Sequence, residues 1–114
     1  MNAQLIFDTI VTHLRNQGCK STDRFQTACS YRGEDGAKCA AGCLIPDHLY
    51  SPELEGHMWS SLQLKECREY VGEEHTALIG TLQNVHDRTS VTQWETRFRQ
   101  VAEDFNLDYT PPAV

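Results

Sequence analysis

Several features that would assign a function at once are missing from this sequence. No apolar run approaches the roughly 20 residues that a membrane-spanning helix needs, and the N-terminus lacks the basic and then apolar order of a signal peptide. The chain also lacks a basic block, and its net charge is −6. Affinity for nucleic acids comes largely from Lys and Arg side chains that neutralise phosphates, so this composition makes DNA or RNA binding improbable. We therefore expect a cytoplasmic protein without a membrane or nucleic-acid partner.

Metal-binding and nucleotide-binding signatures are absent as well. The phosphate-binding loop pattern Gly-x-x-x-x-Gly-Lys-Ser/Thr does not occur. Cys39 and Cys43 form only half of a zinc set, with His48 and His57 downstream. The five cysteines are odd in number and irregular in spacing, which favours reduced, structural thiols. We expect no bound metal and no cofactor.

Catalytic patterns are equally weak. Cys39 or Cys43 at a helix N-terminus would have a lowered thiol pKa, but no pattern places one of the five histidines beside either thiol. Neighbouring pairs such as His86 and Asp87 do not face each other on a helix. We therefore favour a non-enzymatic protein, and a small Cys-dependent or metal-dependent enzyme remains an alternative.

The chain is long enough for one domain with a core, since it has 114 residues of which 39% are apolar. Neither an internal repeat nor a linker interrupts it. We assign residues 1–109 to a single globular domain. Residues 110–114, which contain two adjacent prolines, are expected to be a disordered tail.

Three helices are predicted from apolar periodicity. They are expected at Asn2–Gln17, Glu73–Asp87 and Ser90–Asn106. Ser90 and Gln93 have the spacing of a capping box. Gly80 lies inside the second of these helices at a cost of about 1 kcal/mol relative to alanine, which indicates close helix packing.

The segment before these last two helices has a different pattern. Cys29–Arg32 and Ala37–Cys39 are predicted to be short strands joined by a hairpin turn at Gly33–Gly36, where Asp-Gly supplies positive φ angles. Short helical turns are expected before Pro46 and after Ser51. The predicted fold class is α+β: a mostly helical single domain with one antiparallel β-hairpin. Because such a ribbon leaves exposed edges, we expect a homo-oligomer.

The hairpin also predicts an anion site. Arg32 and Lys38 flank the turn that contains Gly36, so the hairpin would bring both cations to one end, and a small-residue helix start follows. Three aromatic residues are near enough in sequence to stack on a ligand: Tyr31, Tyr50 and Trp59. The alternative is that Arg32 and Lys38 pair with Glu34, Asp35 or Asp47 and have only a structural role.

The same segment carries a resemblance. From Tyr31 to Asp47 it contains Tyr-Arg-Gly-x-x-Gly-x-Lys-Cys-Ala-x-Gly-Cys-Leu-Ile-Pro-Asp, followed by Leu54-Glu-Gly56 and Val85-His-Asp87. In this it resembles a group of small phage-encoded and prophage-encoded proteins without an assigned activity. The resemblance implies a phage protein in the bacterial host cytoplasm, where accessory proteins of this size often block host defences.

Residues and resemblance together lead to one hypothesis and two alternatives. The hypothesis is a non-enzymatic accessory protein that sequesters an anionic small molecule, such as a nucleotide immune signal. The first alternative is an inhibitor or adaptor that binds a host defence protein through the acidic C-terminal half. The second is the small enzyme described above.

Overall fold

A computed structural model describes residues 1–25, 28–62 and 64–112. Within these ranges four α-helices occur: α1 (Ala3–Gln17), α2 (Lys65–Val71), α3 (Thr76–Arg88) and α4 (Trp94–Asp104). Single 3₁₀ turns lie at Glu34–Gly36, Gly42–Leu44, Asp47–Leu49, Pro52–Leu54, Trp59–Ser61, Glu73–His75 and Val91–Gln93. In these described ranges, no helix combines the length and apolar character that crossing a membrane requires.

The first helix forms where its sequence pattern predicts it. The Asn2 side chain accepts a hydrogen bond from Leu5 N at 2.8 Å and caps the N-terminus. Gly18 ends the helix in the left-handed region, with φ of 69°. The apolar stripe is buried, and it comprises Ile6, Phe7, Ile10, Val11 and Leu14.

The α3 helix is the centre of the core, because it packs against both α1 and α4. Its inner face carries Leu78, Ile79, Leu82 and Val85, which are all buried as their periodicity predicts. Glu73–His75 form a 3₁₀ turn rather than the first turn of this helix.

The last helix buries four residues at helical spacing and begins later than expected, while Phe105, which the periodicity also predicts to be in the helix, lies after its end and is partly buried. Trp94, Phe98, Val101 and Ala102 are buried. The prediction of a capping box is wrong. The Ser90 hydroxyl makes no capping hydrogen bond to a backbone N–H group and lies 3.2 Å from Thr92 Oγ1 instead. A 3₁₀ turn separates Ser90 from α4.

The predicted β-hairpin is wrong. Among the described residues no strand or sheet occurs, and only a single antiparallel bridge joins Thr22 to Cys29. The segments Cys29–Arg32 and Ala37–Cys39 do not pair as a ladder, although Gly33 N does donate to Ala37 O at 2.8 Å. The domain is therefore mostly helical, and the expected exposed ribbon edges, which were the argument for a homo-oligomer, are not part of it.

Side-chain oxygens accept hydrogen bonds from backbone N–H groups in both segments of the predicted hairpin. Glu55 accepts hydrogen bonds from Tyr31 N at 2.8 Å and Arg32 N at 3.1 Å. On the opposite segment, Gln17 Oε1 accepts from Lys38 N at 2.8 Å. A backbone N–H donates to one acceptor at a time, so these contacts replace the ladder.

The small residues of this region are explained by close backbone approach. A Cβ atom at Gly42 would collide with the carbonyl oxygen of Tyr31, and one at Gly33 would lie 2.7 Å from Thr22 N. Only glycine fits where two chain segments come this near. Close backbone approach therefore requires glycine at positions 33 and 42.

Candidate functional site

The two cations predicted to hold an anion meet at one carboxylate of the protein itself. Arg32 Nη2 lies 3.1 Å and Lys38 Nζ 3.5 Å from the same oxygen, Oδ1 of Asp47. Lys38 and Arg32 together lower the pKa of the Asp47 carboxyl. This pairing agrees with the alternative prediction, in which Arg32 and Lys38 pair with an acidic residue of the chain and have a structural role.

Arg32 makes further contacts within the chain. Its guanidinium donates to Gly42 O at 2.7 Å and to Ile45 O at 2.6 Å. It also lies over the ring of Tyr50, 4.9 Å from the centroid. These contacts fix the turn at 42–47, so the side chain is a structural element of the segment.

Two backbone N–H groups of the small-residue turn also donate within the protein. Ala41 N donates to Gln83 Oε1 at 2.9 Å, and Gly42 N donates to Cys39 Sγ at 3.3 Å. The turn at Gly42–Leu44 is three residues long and carries no helix dipole of consequence. The expected helix-terminal anion cradle does not form there.

The remaining predicted ligand residues lie in three places. Gly36 is exposed on its turn at the edge of a separate open depression. Tyr50 donates its hydroxyl to Glu55 at 2.7 Å beside Arg32. Tyr31 and Trp59 are both buried and line a cleft next to α3. A ligand contact by any of these residues stays a prediction.

This α3 cleft has a volume of about 460 Å³. Its floor is α3, which contributes Thr76, Gly80, Gln83, Asn84, Asp87 and Arg88. The segments 29–31 and 55–60 form the opposite walls. Two hydrogen bonds hold the segment 55–60 in place. The Tyr31 hydroxyl donates to His57 O, and Arg68 Nη1 donates to Ser60 O at 3.2 Å.

Gly80 faces this cleft instead of another helix. A Cβ atom added there would meet nothing within 4 Å, and the residue is exposed. The prediction that Gly80 permits close helix packing is therefore wrong within the described chain. The glycine instead leaves the middle of the cleft floor open.

Arg88 supplies an uncommitted positive charge at the cleft. Within the described ranges its guanidinium has no hydrogen bond, ion pair or ring contact, and the residue is exposed. Asn84, one turn earlier, has an exposed side chain without a protein partner in the same ranges. Sequence reasoning missed both residues, because an exposed Arg and Asn at the end of a helix look like ordinary solvated groups.

Asp87 sits beside Arg88 in a hydrogen-bonded network. Its Oδ1 accepts from His86 Nδ1 at 2.7 Å and from Gln83 Nε2 at 2.7 Å. Burial raises the pKa of Asp87, but hydrogen bonds from His86, Cys29 and Gln83 lower it by more. The net pKa is lowered, so the group is a carboxylate at neutral pH.

Cys29, His86 and Asp87 place a thiol, an imidazole and a carboxylate within 4.8 Å of one another. The imidazole is committed, however, because its Nε2 accepts from Ser21 N at 2.9 Å and Nδ1 therefore carries the proton that faces Asp87. A metal ion needs a lone pair that neither nitrogen has free. Because its Nε2 lone pair already accepts from Ser21 N, the imidazole is not a base for the Cys29 thiol.

The thiols themselves are not activated. Burial, followed by the nearby Asp87 carboxylate, raises the pKa of Cys29 to about 11. Burial likewise raises the pKa of Cys39 and of Cys43 to about 12. Since the thiolate is the nucleophile, these cysteines behave as structural thiols.

No protein-family model matches this chain, and no curated protein or solved structure matches it either.

Proposed function

We propose that the chain is a non-enzymatic binding protein that holds an anionic small molecule of nucleotide size in the α3 cleft. The observation that carries this proposal is Arg88, which lines a cleft of about 460 Å³ with two aromatic residues in its lining and has no side-chain partner among the described residues. Ligand sites in proteins are typically concave, mostly apolar and about 300–1,000 Å³ in volume. The raised thiol pKa values of Cys29, Cys39 and Cys43 favour binding over catalysis.

The cleft offers complementary groups for such a ligand. Arg88 provides a planar, charged fork for a phosphate or carboxylate. Asn84, one turn away, provides an amide for a further hydrogen bond. The lining of Trp59, Tyr31 and Met58 provides apolar and aromatic area for a flat ring. Compared with the sequence hypothesis, the proposed counter-charge moves from Arg32 and Lys38 to Arg88, because the first two already pair with Asp47.

The biological setting rests on the resemblance to phage-encoded proteins. In that setting the protein acts in the host bacterial cytoplasm and sequesters a nucleotide immune signal, which prevents the signal from activating a defence protein. Sequestration requires affinity and abundance but no chemical step. This fits a cleft with a free cation and with thiols that burial keeps protonated.

The binding test is calorimetric titration of the purified chain with mononucleotides and cyclic nucleotides. We expect at least one to bind, and Arg88→Ala to weaken that binding by about tenfold or more, since a charge-assisted hydrogen bond contributes about 1.5–3 kcal/mol. Arg97→Ala is the matched control, because Arg97 is an exposed arginine on α4, away from the cleft, without a side-chain partner in the described ranges. Equal affinity of all three proteins would refute the cleft as the site.

Lys38→Ala distinguishes the two cation clusters. It removes a charge from the Asp47 pair but leaves the contacts of Arg32 with Gly42 and Ile45 intact. We expect Lys38→Ala to bind the nucleotide like the wild type. If Lys38→Ala loses affinity for the nucleotide and Arg88→Ala keeps it, the anion binds at Arg32 and Lys38 beside Asp47 and not in the α3 cleft.

Binding of a host defence protein is a second candidate function. It is favoured by three large apolar side chains that are strongly exposed: Phe25 at 76%, Met58 at 73% and Tyr70 at 68%. Co-purification with one host protein from infected cells, lost in Met58→Ser or Tyr70→Ser but retained in Arg88→Ala, would favour this candidate over the first.

A further inference from the structure

The lining of the α3 cleft contains two carboxylates, Glu55 and Asp87, as well as the cation of Arg88. Glu55 already accepts hydrogen bonds from Tyr31 N, Arg32 N and the Tyr50 hydroxyl. Asp87 and Arg88 both line the cleft, and the side chain of Asp87 is 32% exposed. The two residues follow each other at the C-terminal end of α3. A ligand that brings its anionic group to Arg88 therefore also meets a negative oxygen.

The orientation of this carboxylate is fixed from behind. His86 Nδ1 and Gln83 Nε2 both donate to Oδ1 of Asp87. His86 is in turn held by Ser21 N at 2.9 Å, and Gln83 by Ala41 N at 2.9 Å. Each donor is tied to the backbone of another segment, so Asp87 cannot rotate without breaking several bonds.

The second oxygen, Oδ2, has a different environment. Across residues 1–25, 28–62 and 64–112 it accepts no hydrogen bond from a nitrogen or a hydroxyl group, and the neighbouring Cys29 thiol is a weak donor. A carboxylate oxygen at the wall of a cleft is stabilised by water or by a donor of the ligand. A ligand that displaces this water without supplying an N–H group leaves the oxygen unpaired, and a carbonyl oxygen in that position is repelled.

Resting on the proposed function, we propose that Asp87 determines which nucleotides the cleft accepts. Its Oδ2 accepts a hydrogen bond from the exocyclic amino group of a purine base, while Arg88 holds the phosphate of the same molecule. The ligand class is thus narrowed to purine nucleotides with an amino group on the base. The lowered pKa of Asp87 keeps the acceptor ionised at neutral pH.

The ligand comparison needs no variant. AMP and GMP carry the amino group, whereas IMP and purine riboside 5′-monophosphate do not. We expect at least one of the first two to bind the wild-type protein about tenfold or more tightly than both of the others, because a polar group that loses its hydrogen-bond partner costs about 1–3 kcal/mol. Calorimetric titration measures all four affinities.

Asp87→Asn tests the residue itself. Its amide oxygen can still accept from His86 and Gln83, while its amide nitrogen replaces the acceptor with a donor. We expect the preference for the amino-bearing nucleotide to fall below about threefold. The control is Asp35→Asn, which changes an exposed carboxylate outside the cleft that has no side-chain partner in the described part of the chain. It should keep the wild-type preference.

The outcomes separate the two proposals. If nucleotides bind to the wild type but the amino group changes affinity by less than about threefold, the role of Asp87 is overturned and the binding function stands. If no nucleotide binds, the proposed function itself is refuted and the specificity falls with it. An Asp87→Asn protein that folds, binds and keeps the full wild-type preference would also overturn the inference.

Discussion

Glu55 illustrates how one side chain can replace a secondary-structure element. Its two oxygens accept hydrogen bonds from the backbone N–H groups of Tyr31 and Arg32 and from the Tyr50 hydroxyl. In a hairpin, one of these two consecutive N–H groups would have faced the partner strand, because successive N–H groups of a strand point to opposite sides. A single carboxylate thus holds the segment 31–32 against the 50–55 turns, and the wall of the cleft depends on it.

Replacing Glu55 by alanine should destabilise the fold. Two partly buried N–H groups and one hydroxyl lose their acceptor, and we expect a loss of about 2 kcal/mol in the free energy of unfolding. Urea denaturation followed by circular dichroism measures this loss. Glu53→Ala is the control, since Glu53 is exposed and has no side-chain partner within the described ranges, and it should change stability by less than about 0.5 kcal/mol. Similar stabilities for the two variants would contradict the role given to Glu55.

At the scale of elements, α3 has one face in the core and one face in the cleft. One face buries Leu78, Leu82 and Val85 in the core, and the other forms the floor of the cleft. Gly80 lies on the second face, where nothing in the described chain compensates for its low helix propensity. A residue that weakens a helix without a packing reason is consistent with a surface kept open for a ligand.

Gly80→Ala should therefore stabilise the free protein. Alanine has higher helix propensity, and its methyl group enters open space, so we expect a gain of about 0.5–1 kcal/mol in the free energy of unfolding. Gly42→Ala provides the contrast, because its methyl group would collide with the carbonyl oxygen of Tyr31, and we expect a loss of more than about 2 kcal/mol. Thermal and urea unfolding of both variants checks the opposite signs. A destabilised Gly80→Ala would mean that the cleft floor is packed in solution.

At the scale of the whole molecule, ion pairs join elements that are distant in sequence. Arg15 on α1 donates to both carboxylate oxygens of Glu95 on α4, at 2.8 and 2.7 Å, and to Thr110 O. Tyr109 donates its hydroxyl to the same carboxylate at 2.8 Å. These contacts fasten the segment that follows α4 across the first and last helices.

The acid sensitivity of the molecule follows from its carboxylates. The pKa of Glu95 is lowered by Arg15, the pKa of Asp47 by Lys38 and Arg32, and the pKa of Asp87 by its hydrogen bonds despite burial. A lowered pKa means that the folded state binds protons less readily than the unfolded chain. The stabilisation is therefore present above the unfolded values near pH 4 and is lost as the pH falls through the folded pKa values.

We expect the free energy of unfolding to fall steadily from pH 5 towards pH 2.5. Glu95→Gln should flatten this dependence, because it removes one of the linked groups while Arg15 keeps a neutral acceptor. Glu53→Gln is the control and should retain the wild-type slope. Urea denaturation at half-unit pH intervals measures all three slopes. If the free energy of unfolding of the wild type stays constant or rises as the pH falls, the predicted direction of the pH dependence is wrong.

Much of this fold follows from local sequence patterns. The periodicity of α1, α3 and α4 identifies their buried faces, and Asn2 and Gly18 define the bounds of α1. Such signals are readable because every group involved lies within a few residues of its partner. The same locality explains why the turns around Pro46 and Ser51 agree with expectation.

Only the tertiary structure shows that the predicted hairpin does not form in the described chain and where the candidate site lies. Tyr31 N, Lys38 N and Ala41 N find acceptors 24, 21 and 42 residues away in sequence, and no local pattern encodes that competition with a strand partner. The same long-range packing pairs both Arg32 and Lys38 with Asp47 and leaves Arg88 without a side-chain partner in the described chain. Charge and propensity are properties of the sequence, but which charges remain available is determined only once distant segments meet.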